Sequence, residues 1–341
     1  MAHALLWPAH PQLLPDELLS SWLVRIAAAN GIKVQRLCWE LFGNAKSPWN
    51  RDVDRSAPDW LIEAIALHTG CRKREVLAST LTTYRHRLYR SPRFSGHLHW
   101  VTPILSRGMR RKGYGQQFCP ACLADGTIPY FRKFWRLALA TYCPTHRIEL
   151  LDACPQCASP VMHYRGDFGR EIDDALPMNL CPVCFADFRE APRRRVQFAT
   201  VETQLMFDGA THSLTQPLNQ VGQFNHGFFA ILRKLCMIMG SNRSQGRFLR
   251  YLGKTLRIEV TRAESGKREC FETLRRDERH RWLQCGLWVM ATPQERLQAS
   301  LDSHALRWNV LLADFPDAPG WYSTLVESLT HRKPRTKRQS P

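Results

Sequence analysis

Nowhere in the 341 residues does an apolar run approach the roughly eighteen residues that a membrane-crossing helix requires. The opening stretch MAHALLWPAHPQLLPDELL has no cationic leader and is broken by prolines, and no lipidation motif is present. These absences exclude a membrane partner and predict a cytoplasmic, nucleoid-associated protein. Acidic residues are also scarce. Thirty Asp and Glu face 48 Lys and Arg, a formal charge of +18 with a sequence pI near 9.8. Such an imbalance calls for a polyanionic partner, and double-stranded DNA is the expected one.

Catalytic equipment is thin as well. Gly253-Lys254-Thr255 resembles the end of a phosphate-binding loop, but Phe248 stands where that motif needs its first Gly. ATP chemistry therefore falls to a partner. Metal-dependent strand transfer needs converging carboxylates. Asp173, Asp174 and Glu190 lie in a polar stretch with no obvious third member. The chain is expected not to be an enzyme.

What is abundant is cysteine in a repeated setting. Cys119-Pro120-Ala121-Cys122, Cys143-Pro144-Thr145-His146, Cys154-Pro155-Gln156-Cys157 and Cys181-Pro182-Val183-Cys184 are four copies of one turn. Each places two soft ligands on one side of a tight bend, and two such turns complete a tetrahedron around zinc. Eight ligands predict two structural zinc ions with no open coordination position. Twenty residues separate the pairs of the first site and 23 those of the second if the turns pair in sequence order. A cross-braced arrangement, first turn with third and second with fourth, has compatible spacing. In a reducing cytoplasm zinc fits these thiols better than disulfides do. Cys38, Cys71, Cys236, Cys270 and Cys285 are scattered singly and read as structural or incidental.

The predicted fold class is mainly α with small β zinc ribbons. It comprises an N-terminal helical domain resembling a helix-turn-helix with a basic segment (1–112), a tandem zinc-binding module (113–190), a linker (191–225), a C-terminal helical domain (226–329) and a disordered basic tail (330–341). The stretch DELLSSWLVRIAAANG reads as an amphipathic helix capped by Asp16 and stopped by Gly31, with Leu18, Leu19, Trp22, Leu23 and Ile26 inward. A second helix follows from Val34 to Phe42. Ser56 to Gly70 and Arg72 to about Leu81 form a second pair, with Ser56 as cap. Either pair suits a helix-turn-helix or an ordinary helical hairpin.

Between Tyr84 and Phe118 eight Arg and Lys occur without one Asp or Glu. Arg72, Lys73, Arg74, Arg85, Arg87, Arg90, Arg93, Arg107, Arg110, Arg111 and Lys112 are the candidate DNA-backbone contacts. The interleaved aromatics suit a core or a stacking surface equally. Inside the first zinc loop, Tyr130, Phe131, Phe134, Trp135 and Leu137 to Leu139 are dense enough for a small core. A second basic zone, twelve Arg and Lys against six acids, runs from Ser241 to Trp282. Further helices are predicted over Phe228 to Met239, Phe248 to Leu256, Phe271 to Met290, Pro293 to Leu301 and Leu306 to Phe315.

The combination of LPDELLSSWLVRIAAANG, FCPACLADG, YFRKFWRLALATYCPTHRIELLDACPQC and LCPVC, spanning about Leu14 to Cys184, resembles the TniQ family of transposon targeting proteins. That resemblance implies an adaptor that recognises target DNA or a target-bound partner. It also implies recruitment of a TniB-type AAA+ ATPase and, through it, a TniA-type transposase, and it allows a homodimer. Similarity to stand-alone members encoded with a resolvase favours targeting of resolution sites. The alternatives are a zinc-dependent DNA-binding transcription regulator and, more remotely, a zinc-containing nuclease.

Overall fold

The computed structural model describes residues 6–43, 46–90, 96–104, 113–165, 176–216, 220, 222–241, 246–260 and 270–330. The chain divides into two compact units, Met1–Gln197 with Glu272–Arg279, and Phe198–Phe271 with His280–Pro341. The expected N-terminal helical domain and zinc module thus share one unit.

At the centre of that first unit lies α1, Leu19–Ala29, buried from Leu19 through Ala27. Its apolar residues Leu19, Trp22, Leu23 and Ile26 are at most 1 % exposed. A helix enclosed on all sides must also satisfy its polar side chains internally. Arg25 forms a two-pronged ion pair with Glu17, both bonds 2.7 Å. Ser21 donates to Glu17 and accepts the Phe131 amide at 2.9 Å. Ser20 donates its amide and hydroxyl to the two oxygens of Asp54, at 2.8 and 2.7 Å. Asp54 in turn meets Arg136, whose wholly buried guanidinium also binds Asp52 at 2.5 Å and the Thr102 carbonyl at 3.0 Å. One polar chain therefore runs from α1 to the segment between the first two Cys-Pro turns.

The flanking helices are α2, Val34–Phe42, after a short turn at residues 30–33, and α3, Asp59–Thr69, followed by α4, Lys73–Ala78. Gly70 ends α3 in the left-handed conformation, φ 72°. α2 spans the residues its pattern predicts. The other boundaries move. Asp16 does not cap α1: it sits at φ 58° with its carboxylate turned to the Phe134 amide at 3.1 Å, and Leu18 is the cap. Ser56 likewise yields to Pro58 as the cap of α3, on which Leu67 is 52 % exposed.

The expected β ribbons are reduced to isolated antiparallel bridges, and no strand occurs among the described residues. Bridges Tyr142↔Glu149, Ala153↔Pro160 and Leu180↔Asp187 each close one Cys-Pro turn, and a turn this tight needs only one rung. The first turn instead opens α5, Pro120–Ala124, with Pro120 in the first turn and Cys119 as cap. Phe118, Phe131, Trp135, Leu137, Tyr142 and Phe188 form the core of this region, each at most 1 % exposed. Nearby, Gly115 lies so close to the Pro103 carbonyl that an added Cβ would fall 2.3 Å from it.

Residues 272–279 fold back onto this unit through charge. Arg275 pairs with Asp152 at 2.8 Å, Arg276 with Glu149 at 2.8 Å, and the buried Arg279 donates to the carbonyls of Ala138 and Leu274 and to Gln117. Three of the twelve cations that read as a second basic zone are thus consumed internally.

The second unit comprises α6, Val201–Ser213; α7, His226–Met239; α8, Arg247–Leu256; most of α9, Arg276–Ala291; α10, Pro293–Asp302; and α11, Gly320–Ser328. α6 falls within the predicted linker, started by the Thr200 hydroxyl accepting the Thr203 amide at 3.1 Å and anchored by Phe207 and Ala210. Leu306 to Phe315, predicted helical, contains only the short 3-10 turn Trp308–Val310. Phe229, Leu232, Cys236, Phe248, Trp282, Leu283 and Leu287 supply the core. Gly253-Lys254-Thr255 lies inside α8. The tail, 331–341, lies outside the described residues.

His163 is fully buried against Phe131, ring centroids 4.2 Å apart, and its Nε2 lies 3.1 Å from the Ser20 hydroxyl. Burial, reinforced by Arg136, lowers it to about 3. The unfolded chain binds this proton near pH 6.5 and the folded chain does not, so stability from neutral His163 is complete above pH 6.5 and is lost as pH falls toward 3. Asp54 acts in the opposite sense. Burial and the neighbouring Asp52 raise it to about 6 against the pull of Arg136 and Ser20, so its contribution improves on acidification. We expect metal-loaded His163→Gln to lose about 1 kcal/mol less stability than wild type between pH 7 and 5.5, read by denaturant unfolding. Parallel pH profiles would contradict this.

Candidate metal centres

Three of the four turns share one backbone design. In each, the amide following the second ligand position donates to the carbonyl of the first: Arg147 to Cys143 at 2.8 Å, Ala158 to Cys154 at 2.9 Å and Phe185 to Cys181 at 2.9 Å. The amide of the first ligand position then closes the bend by donating to the carbonyl of Ile148, Ser159 and Ala186 respectively. Arg147, Ala158 and Phe185 all occupy the left-handed region, φ 56°, 57° and 63°. Proline presets the bend at the second position of each turn. The two ligand side chains are thereby set on one side.

The turns assemble in sequence order. Cys119, Cys122, Cys143 and His146 form one quartet and Cys154, Cys157, Cys181 and Cys184 the other, with the ligand atoms of each within 4.8 Å of one another. The cross-braced arrangement is not formed. In the first quartet Cys122 Sγ and Cys143 Sγ are 3.6 Å apart, and His146 Nδ1 lies 3.5, 3.3 and 3.4 Å from the sulfurs of Cys119, Cys122 and Cys143. In the second, Cys154 and Cys184 are 3.6 Å apart and Cys157 and Cys181 3.7 Å. A tetrahedral zinc with ordinary bond lengths demands edges of about 3.8 Å between sulfurs and about 3.5 Å from sulfur to nitrogen. Both quartets are compatible with a metal ion, and the soft donor set favours zinc.

Electrostatics agree with the geometry. Hydrogen bonds from Cys119 and Cys122 pull Cys143 down to about 2, while the proton-sharing contacts with Cys119 and Cys143 push Cys122 well above a free thiol. At the second quartet, burial raises Cys157 but hydrogen bonds from Ser159 outweigh it and bring it down to about 6. Crowded thiols that cannot all ionise alone are the setting a divalent cation relieves.

Two supporting residues escaped the sequence reading. Asp125, just after α5, accepts from His146 Nε2 at 2.5 Å, fixing the ring so that Nδ1 faces the three sulfurs. Ser159 places its hydroxyl 3.0 Å from Cys157 Sγ and 3.5 Å from Cys181 Sγ. An acid three residues beyond Cys122 and a serine two beyond Cys157 were the available signals, and neither is distinctive without coordinates.

The quartets also organise the surroundings. Phe118 and Leu151 exchange backbone hydrogen bonds, 2.9 Å each, tying the first turn to the strand of chain before the third. Phe118 stacks on Phe188 at 4.5 Å, next to the fourth turn.

Residues 8–150 match the TniQ family model. They are a TniQ domain. Among curated proteins, none matches the chain. The TniQ match contains the first quartet and ends before the second, so the family likeness drawn from the motifs as far as Cys184 extends past the residues matched. A TniQ domain implies a role associated with transposition.

The candidate DNA contacts of the TniQ domain are placed unequally. Arg72, Lys73, Arg74, Arg85 and Arg90 are exposed. Glu75 accepts the Arg72 amide and side chain, and Glu63 pairs with Lys73 at 2.6 Å, so the cations opening α4 are partly answered by acids. Arg87 is only 7 % exposed and packs as part of the fold, which withdraws it from any surface contact. Arg93, Arg107, Arg110, Arg111 and Lys112 lie outside the described residues, as do Asp173 and Asp174; Glu190 is exposed. Tyr84, Tyr89, Trp100 and Phe118 are buried and belong to the core, not to a stacking surface.

Asp125 yields a specific expectation. Metal-ligating histidines lose affinity by 10- to 100-fold when their outer hydrogen-bond partner is removed. Asp125→Asn should weaken metal retention at the first quartet by about that factor, measured by competition with a chromophoric chelator, while the second quartet keeps its metal. Equal retention at both would remove Asp125 from the site.

Proposed function

We propose that the protein is a transposition targeting factor: it engages double-stranded DNA and recruits an AAA+ ATPase regulator of the TniB type, which brings a TniA-type transposase. The single observation that carries this reading is the TniQ domain over residues 8–150, whose central helix is tied to Phe131 and, through Asp54, to Arg136 in the loop that the first quartet brackets. Each quartet would hold one structural zinc ion, Cys119, Cys122, Cys143 and His146 in the first and Cys154, Cys157, Cys181 and Cys184 in the second. Four protein ligands leave no position for water or substrate, so the metal would supply folding free energy, not catalysis. The protein acts as an adaptor.

In this reading the exposed cations Arg72, Lys73, Arg74, Arg85 and Arg90 meet phosphates. The helical pairs α1–α2 and α3–α4 serve as helix-turn-helix-like scaffolds. α1 is too deeply buried to touch DNA, and the exposed residues of α3 include the acids Asp59 and Glu63, so α2 and α4 are the members suited to face it. Resolution sites are the proposed targets, and a homodimer matches the two-fold symmetry such sites commonly carry.

The test uses the full-length, zinc-loaded protein with a resolution-site duplex and a scrambled duplex, each at two salt concentrations, and with the ATPase added in a second series. We expect a preference for the resolution site that survives higher salt, and a ternary complex with the ATPase on DNA. Sequence-specific binding with no ATPase recruitment would favour the transcription-regulator reading. No binding to either duplex would sink DNA engagement altogether.

A further inference from the structure

The segment that follows the fourth Cys-Pro turn carries Arg193, Arg194 and Arg195 in succession, all exposed. It lies antiparallel to the chain leaving the second turn. Ile148 bridges Arg195, the Glu149 amide donates to the Arg194 carbonyl at 2.9 Å, and the Val196 amide donates to the Arg147 carbonyl at 3.0 Å. These backbone bonds fix Arg194 and Arg195, with Arg193 just before them, beside the segment of Arg147, which stands over the Tyr142 ring at 5.2 Å. Ile148 and Val196, at 9 % and 7 % exposure, anchor the pair to the core. Long cationic side chains are thus mounted on a backbone fixed by the first metal quartet.

Nearby acids are already engaged. Asp187 binds Arg189 through three contacts of 2.6 to 3.1 Å, Glu149 binds Arg276, and Asp152 binds Arg275 and the Arg276 amide. Glu190 is exposed at the start of the segment. Among the described residues no carboxylate pairs with Arg193, Arg194 or Arg195; Arg193 reaches only the Arg189 carbonyl, at 3.4 Å. Three adjacent guanidiniums with no carboxylate partner among the described residues, on a chain of formal charge +18, form a cationic ridge suited to a row of phosphates.

We propose that Arg193, Arg194 and Arg195, flanked by Arg147, form a second DNA-phosphate contact surface, on the metal module and separate from the cations of the helical pairs. The proposal rests on the reading that the protein engages DNA. A duplex is the partner because the ring on these segments, Tyr142, is 1 % exposed and offers no face for stacking an unpaired base. Contacts of this kind raise affinity uniformly and leave sequence preference to other residues.

The experiment is a salt titration of binding between the full-length, metal-loaded protein and a fluorescent duplex, with R193Q/R194Q/R195Q and R193K/R194K/R195K compared at equal metal content. Each lost phosphate contact lowers the slope of log affinity against log salt by about 0.9, so the glutamine triple should lose up to about 2.7 and the lysine triple should stay near wild type. The resolution-site preference should survive in both. Should the glutamine triple fold poorly, Arg193→Gln and Arg195→Gln singly should each lower the slope by about 0.9. An unchanged slope in well-folded glutamine variants overturns this surface and leaves DNA engagement standing. Tighter binding of a single strand than of the duplex overturns the choice of partner, and a wild type that binds no DNA overturns both readings.

Discussion

One guanidinium joins the two halves of the first unit. Arg136 has no exposed side-chain surface and is held between Asp52 and Asp54, with the Thr102 carbonyl beside it. A charge so enclosed is tolerable only when paired, and removing one partner of a buried pair typically costs 3–5 kcal/mol. From Asp54 the chain of polar contacts reaches Ser20 on α1, and from Ser20 it reaches His163 beyond the third Cys-Pro turn. Ser21, the next residue of α1, takes the Phe131 amide from inside the first metal loop. The helix that heads the TniQ domain is therefore specified by residues that the metal turns position. It is not a helical module with a zinc finger appended.

The metal module has a complementary economy. Three turns repeat one hydrogen-bond scheme, and each needs only a single bridge because two ligands reach a common centre. Residues 272–279 add a clamp in which Arg275, Arg276 and Arg279 neutralise Glu149 and Asp152 and satisfy buried carbonyls. By engaging those acids the clamp also keeps Glu149 and Asp152 from pairing with the neighbouring arginine ridge. Structural ion pairs at one place thus shape the field at another.

The eight quartet residues were legible because their signal is local: ligand, proline, one residue, ligand, four times over. Helix α2 was legible for the same reason, its apolar period and Gly43 both lying within ten residues. Pairing order was not, since compatible loop lengths admit two closures. Charge misled most. Arg136 meets Asp52 across 84 positions, Arg275 meets Asp152 across 123 and Arg276 meets Glu149 across 127, so linear charge counts cannot see the neutralisation. Arg87 failed for a related reason, drawn inward by long-range packing, and Asp16 turned away from α1 to accept the Phe134 amide, 118 positions on. The supporting Asp125 and Ser159 act only through three-dimensional proximity to a ligand, and an isolated acid or serine carries no pattern.

The TniQ helices and the metal held by the two quartets are expected to form one cooperative structure. Hydrogen exchange of the α1 amides, residues 19–27, compared between zinc-loaded and chelator-stripped protein, addresses it directly. α1 is expected to lose protection together with the Cys-Pro turns when metal is removed, because Ser20 and Ser21 lose the His163 and Phe131 contacts that satisfy them. Retention of full α1 protection in the stripped protein would show that the helices stand independently, and would contradict it.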